Sequence, residues 1–161
     1  MIIIHPTALI NKSCFIGNNG FSFSKNKPRA LNKSKFGIVI GSDAYLAAFC
    51  SIDLGQFRNT IIGHNTIIDS HVHISHDCII GNDCEIDVGA RILGEVEIGN
   101  NSRICTNAII QPKVIIGSNC VLGANSYLRK DMPDDTIFFG SPAIKQGNKN
   151  MLNQMTERGK G

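Results

Sequence analysis

Histidine is the side chain whose charge changes nearest to neutral pH, and four of the five in this chain crowd into one short span, at His64, His71, His73 and His76. Two chemistries use such residues. One histidine can act as a general base, taking a proton from an attacking amine or hydroxyl; three together can hold zinc. His76 is followed by Asp77, a carboxylate able to orient or polarise an imidazole, and Gly94 comes eighteen residues later. Six cysteines, at 14, 50, 78, 84, 105 and 120, show no CxxC spacing. The opening Met1 to Pro6 has neither the basic start nor the apolar core of an export signal, so free thiols in a cytoplasmic protein are expected.

The element that must position these residues is a repeat. Aliphatic side chains recur at every sixth residue from Ile62 through Ile68, Ile74, Ile80, Ile86, Ile92, Ile98, Ile104, Ile110 and Ile116 to Leu122 and Leu128. Four residues after each comes a small or β-branched one, from Thr66 and Val72 to Cys120 and Ser126. The same register recurs at Ile4, Ile10 and Ile16 and at Ile40, Leu46 and Ile52. A period of six suits neither a helix nor a long amphipathic strand, but it suits short strands joined by tight turns. Gly63, Gly81, Gly99 and Gly117 are spaced by eighteen, so three hexads make one coil and equivalent corners stack. Cysteines 14, 50, 78, 84 and 120 fall on the small inward position, where a thiol behaves as a small hydrophobe.

The register also sorts the histidines. His64 and His76 are two hexads apart, on different walls, while His71 and His73 occupy other phases. Positions 40, 58 and 94, one or two coils from His76 along its corner, hold Ile, Arg and Gly, so no metal is expected. By the same count Gly94 lies directly over His76, where it could also be a simple turn glycine.

The pattern Ile-Gly-x-x-Thr/Cys/Ser-x resembles the hexapeptide-repeat acyltransferases, and the stretch Ile74-Ser75-His76-Asp77-Cys78-Ile79-Ile80-Gly81 is similar to two of their branches. One is the nucleotide-sugar acetyltransferases of bacterial surface glycans, of the sialic acid O-acetyltransferase and amino-sugar N-acetyltransferase type. The other is the lipid A pathway N-acyltransferase, which has Ile-Ala-His-Asn there. The resemblance implies an all-β, left-handed parallel β-helix of about six coils, assembled as a homotrimer. It implies His76 as general base, Asp77 beside it and Gly94 as the thioester oxyanion donor. It also implies acetyl-CoA as donor, along Thr106 and Ala124, with Arg129 and Lys130 available for its phosphates. Glu85 stands where the acetyltransferase branch often has a second histidine, which departs from that pattern. Residues 20–80, with Gly20-Phe21-Ser22-Phe23 and Ser51-Ile52-Asp53-Leu54-Gly55, lean to the lipid branch, whereas Gly140-Ser141-Pro142-Ala143 leans to the acetyltransferases.

Two interruptions are the expected acceptor elements. Residues 18–37 lose the hexad and carry five basic residues, so they read as a protruding loop; the stretch Lys25–Lys35 would dock acyl carrier protein if that were the donor. Residues 54–58 add four residues between Ile52 and Ile62 and emerge beside His76. There Phe57 could pack on a sugar ring and Arg58 could take a phosphate, with Asp69 as a further acceptor residue. Both branches normally carry an N-terminal nucleotide-sugar or uracil-binding domain. Here the repeat begins at Ile4, so acceptor recognition is expected from the loop, the bulge or a neighbouring subunit.

The expected organisation is a β-helix over 1–142 and a short C-terminal helix or tail over 143–161. With a net charge of +3, no Trp and two Tyr, nucleic acid is not an expected partner, and no apolar run reaches the length of a membrane span. The reading is therefore an enzyme transferring a short acyl group to an amino or hydroxyl group of a sugar. A carrier-protein-dependent N-acyltransferase and a non-catalytic β-helix binding module are the alternatives.

Overall fold

The computed structural model describes residues 1–19 and 34–148. Its three parallel sheets are the walls of a prism. The first wall stacks Ile2–Ile4, Ile38–Ile40, Thr60–Ile62, Ile79–Ile80, Glu97–Ile98 and Ile115–Ile116. The second stacks Leu9–Ile10, Tyr45–Leu46, Ile67–Ile68, Glu85–Ile86, Arg103–Ile104 and Val121–Leu122. The third stacks Phe15–Asn18, Ser51–Asp53, His73–Ile74, Arg91–Ile92, Ile109–Ile110 and Tyr127–Leu128. The chain visits the walls in turn, so the molecule is a parallel β-solenoid of about six coils.

The core follows from the six-residue period. All twelve aliphatic positions from Ile62 to Leu128 are at most 2% exposed, and Thr66, Val72, Cys78, Cys84, Ala90, Val96, Ser102, Ala108, Val114, Cys120 and Ser126 are buried between them. The thiols of Cys78, Cys84 and Cys120 lie 3.1–3.2 Å from the carbonyls of Leu93, Gly99 and Pro133, so each satisfies its weak donor within the wall. Burial pushes the thiols of Cys50 and Cys78 up to about 12. The first coil is less covered, with Ile4 at 42% and Ile10, Cys14 and Ile16 partly buried.

Coils approach closely at the corner between the first and second walls. A Cβ on Gly63 would come within 2.4 Å of the Gly81 carbonyl oxygen, and one on Gly81 within 2.8 Å of the Asn100 nitrogen, so stacking at this corner leaves no room for a side chain.

The C-terminal end departs from expectation. Thr136–Gly140 joins the second wall parallel to Val121–Leu122, and Ala143–Asn148 then folds back antiparallel to it. Residues 143–148 are therefore a strand and not the start of a helix. Gly140, at φ +106°, and Pro142 reverse the chain, and the open edge of Thr136–Gly140 offers ladder partners that a helix could not use. The expected tail over 149–161 and the loop segment 20–33 lie outside the described residues.

Candidate active site

His76 occupies the corner between the third and first walls, directly after His73–Ile74. Its Nδ1 lies 2.7 Å from Asp77 Oδ2. Asp77 is fully buried and, at φ +62°, turns in the left-handed region that Asp tolerates better than most residues. Its backbone N–H donates to Thr60 Oγ1 at 3.0 Å. Its other oxygen, Oδ1, accepts the N–H groups of Gln56, Phe57 and Arg58 at 2.9, 2.8 and 2.9 Å. Burial works against the charge on Asp77. The Arg58 amide, His76 and the Phe57 and Gln56 amides outweigh it and hold the carboxyl below its ordinary value. An ionised Asp77 only accepts hydrogen bonds, so Nδ1 of His76 carries the proton it donates, and Nε2 of the neutral ring is left as the basic atom.

Gly94 is one coil further along this corner and buried. A Cβ built on it would lie 2.8 Å from both Cε1 and Nε2 of His76, so the ring packs against the bare backbone of Gly94. The Glu95 N–H donates to the His76 carbonyl, and the Lys113 N–H to that of Gly94, each at 3.0 Å. Gly94 thus stacks over His76, as the eighteen-residue spacing predicts, and Lys130 lies at the same corner two coils beyond Gly94.

The bulge over 54–58 emerges at the same corner. Phe57 is 71% exposed, and with Arg58, Asp77, Glu95, Glu97, Lys113 and Ile115 it lines a cleft of about 360 Å³ on the first-wall side. Arg58 is already engaged: Nε donates to the Asp77 carbonyl at 2.8 Å and Nη1 to Glu97 Oε1 at 2.6 Å. A phosphate would have to compete with Glu97 for it. Arg129 and Lys130, also at this corner, flank Pro142, Ala143 and Ile144 around a second cleft of about 280 Å³.

Other expected residues lie elsewhere. Asp69, Thr106 and Ala124 are at the corner between the second and third walls; Asp69 Oδ1 accepts the Ser70 N–H at 2.6 Å, and the Thr106 carbonyl accepts the Asn125 N–H at 2.9 Å. Glu85 is exposed on the second wall, 3.5 Å from Arg103 Nε. Within one chain none of these four joins the His76 corner. His64 and His71 are likewise at other corners, His71 stacked on Phe49 with ring centroids 5.1 Å apart. Among the described residues, no group of three or more His, Cys, Asp or Glu side chains is arranged to hold a metal ion.

One residue carries no role in the sequence reading. Asp53, 7% exposed, faces His73 with Oδ2 3.8 Å from Nε2. Burial raises its pKa, opposed by His73, His76 and a hydrogen bond from Ser75. The available signal was its place: an acid just past the inward Ile52, opposite Ser75 in the ladder and at the start of the insertion.

Residues 59–94 and 95–130 match the family model described as bacterial transferase hexapeptide (six repeats). That match lies within the repeat and covers less than half of the chain. A curated relative, UDP-3-O-acylglucosamine N-acyltransferase from Dechloromonas aromatica, is 34% identical over 70 residues, which are 43% of this chain and 20% of that protein. The hexapeptide array thus matches about a fifth of the length of such relatives. Among solved structures, UDP-N-acetylglucosamine acyltransferase from Campylobacter jejuni shares the fold at a TM-score of 0.71 and 20% identity, covering 94% of this chain and 77% of that one. The acetyltransferase domain of PglB from Neisseria gonorrhoeae, solved with acetyl coenzyme A, is 25% identical at a TM-score of 0.52, covering 90% of this chain and 57% of that one. Among the described residues, no helix is long and apolar enough to cross a membrane.

Proposed function

We propose that this protein is an acyltransferase that moves an acetyl or other short acyl group from coenzyme A to an amino or hydroxyl group of a sugar, one linked to a nucleotide. The observation that carries the reading is the corner itself. A histidine is fixed through Nδ1 by a buried carboxylate at 2.7 Å, and its free edge faces a glycine that has no side chain to block it.

In this reading Nε2 of His76 takes the proton of the acceptor as its nitrogen or oxygen attacks the thioester carbon. The C–S bond breaks and the departing thiolate takes the proton back. The Gly94 N–H steadies the oxyanion, a role whose loss elsewhere costs about 3–4 kcal/mol of barrier. Asp77 keeps the ring in the right tautomer, and the cleft beside Phe57 and Arg58 is the acceptor side. Arg129 and Lys130 would meet the donor's phosphates.

A homotrimer fits this assignment. Asp69, Glu85, Thr106 and Ala124 lie away from the histidine corner in one chain, and a neighbouring copy is what would bring them to it. Leu9 at 65%, Tyr45 at 45% and Ile67 at 48% exposure stack on successive coils of the second wall, an apolar face suited to such a contact.

The second reading, an N-acyltransferase using acyl carrier protein, is favoured by the curated relative named above. Thiol release from acetyl-CoA and from an acyl-carrier thioester, each with a nucleotide amino sugar, separates the two. Turnover with acetyl-CoA that disappears in His76→Ala supports the first; turnover with the carrier thioester alone supports the second. Inertness toward both leaves the non-catalytic module.

A further inference from the structure

Asp77 is held mainly by main chain. Three consecutive amides, from Gln56, Phe57 and Arg58, end on the single atom Oδ1. Successive N–H groups converging on one point form a nest, a concavity that binds anions through backbone dipoles alone. The bulge that presents them is tied at both ends. At its start Gly55 donates to the Gly37 carbonyl at 3.3 Å and accepts from the Phe36 N–H at 3.1 Å. At its end the Arg58 side chain clasps the Asp77 carbonyl and Glu97. The turn requires glycine at 55, since a Cβ there would lie 1.7 Å from the Arg58 carbonyl oxygen. The hexad repeat needs no such insertion, and the bulge places no acid or base of its own against the imidazole.

We infer that the bulge over 55–58 is the positioning element of the site: its backbone amides, rather than any of its side chains, hold the Asp77 carboxylate and through it the His76 ring. This rests on the reading of His76 as the base. Residue type at 56 and 57 is then secondary to the presence of an N–H at each, while Gly55 is indispensable and the Arg58 side chain anchors the end of the bulge. The same segment carries Phe57 and Arg58 into the cleft, so the element that recognises the acceptor and the one that steadies the base are one piece of chain. The charged and titratable groups around Asp77 are His76 beside it, Cys78 next along the strand, Arg58 from the bulge, and Glu95, Glu97 and Lys113 across the cleft.

The test needs no substrate at first. In the intact protein, pH titration followed by the Asp77 side-chain carbon and by the amide signals of Gln56, Phe57 and Arg58 should give one shared midpoint, below the ordinary carboxylate range. Amides that ignore the Asp77 titration would overturn the inference without any variant being made. Gly55→Ala, which forces the turn open, and Phe57→Pro, which removes one N–H, should each raise that midpoint by about one pH unit, a tenfold change in proton affinity. Phe57→Ala, which keeps the N–H, should leave it in place. Where acyl transfer is measured, the first two variants should both lose kcat, and Phe57→Pro should also raise KM because Phe57 lines the acceptor cleft. A folded Gly55→Ala and a folded Phe57→Pro that both keep the wild-type midpoint would also sink the idea. Absence of acyl transfer by the wild type would instead sink the reading of His76 as base while leaving the titration result standing.

Discussion

Replacing Gly94 with Ala places one methyl group where the geometry leaves no space. The new Cβ would lie 2.8 Å from Cε1 and Nε2 of His76 and 3.4 Å from Nδ1. A comfortable carbon contact begins near 3.5 Å, so the imidazole or the turn must give by about 0.7 Å. The ring resists, because Nδ1 is bound at 2.7 Å to a carboxylate that is itself gripped by three amides. Movement therefore stretches the Asp77 bond, carries Nε2 away from the acceptor and crowds the proposed oxyanion position together. A misplacement of about 1 Å at a reacting group is worth roughly a hundredfold in rate. The loss of one oxyanion donor is worth about the same or more. The expected outcome is a fall in kcat of about 10²-fold, or roughly 2.7 kcal/mol of barrier. The overpacking should also cost about 1–3 kcal/mol of stability, while the backbone itself is unstrained, since Gly94 does not use a positive φ and its carbonyl bond to the Lys113 N–H is unaffected by a methyl group. The assay is thiol release from acetyl-CoA with a nucleotide amino sugar, beside a thermal melt and the ring signals of His76. Combining Gly94→Ala with His76→Ala should add little to the single His76→Ala loss, because both act on one step. A folded Gly94→Ala with kcat within threefold of wild type would refute this account of the corner.

His76→Ala should lower kcat/KM by about 10²–10⁴-fold, the usual contribution of a positioned general base. Asp53→Asn tests a linkage in the opposite sense to Asp77. The folded-state pKa of Asp53 is raised, mainly by burial, so the native state binds more protons than the unfolded chain between the two values, and stability falls as pH rises through that window. The Asn variant escapes this loss, so its melting temperature relative to wild type should be near zero difference below about pH 4 and positive at pH 7–8, measured by calorimetry across the range. Cys50 and Cys78, with thiols pushed up to about 12, should stay unmodified by an alkylating reagent at pH 8 in the folded protein and react only on unfolding, as read by mass spectrometry. Ile92→Ala, at a fully buried position one coil beyond Ile74, should cost about 2–5 kcal/mol in denaturant unfolding.

The six-residue period was enough to determine which side chains face inward, because every coil of a solenoid repeats the same register and one phase serves all walls. The eighteen-residue spacing likewise determined that Gly94 lies over His76 and that Asp69, Thr106 and Ala124 belong to a different corner from them, although the sequence reading drew only the first conclusion. What lay outside the period was decided by the tertiary structure. The bulge over 55–58 has no repeat to place it; its course is set by the open lone pairs of Asp77 and by Glu97, which draw in three amides and the Arg58 guanidinium. Asp53 meets His73 only because adjacent coils set their outward residues side by side. Ala143–Asn148 became a strand because the preceding segment left an unpaired edge beside it. A periodic sequence encodes position through register alone. An insertion or an ending takes the conformation that satisfies whatever hydrogen-bonding groups its neighbours leave exposed, and those neighbours are known only once the coils have stacked.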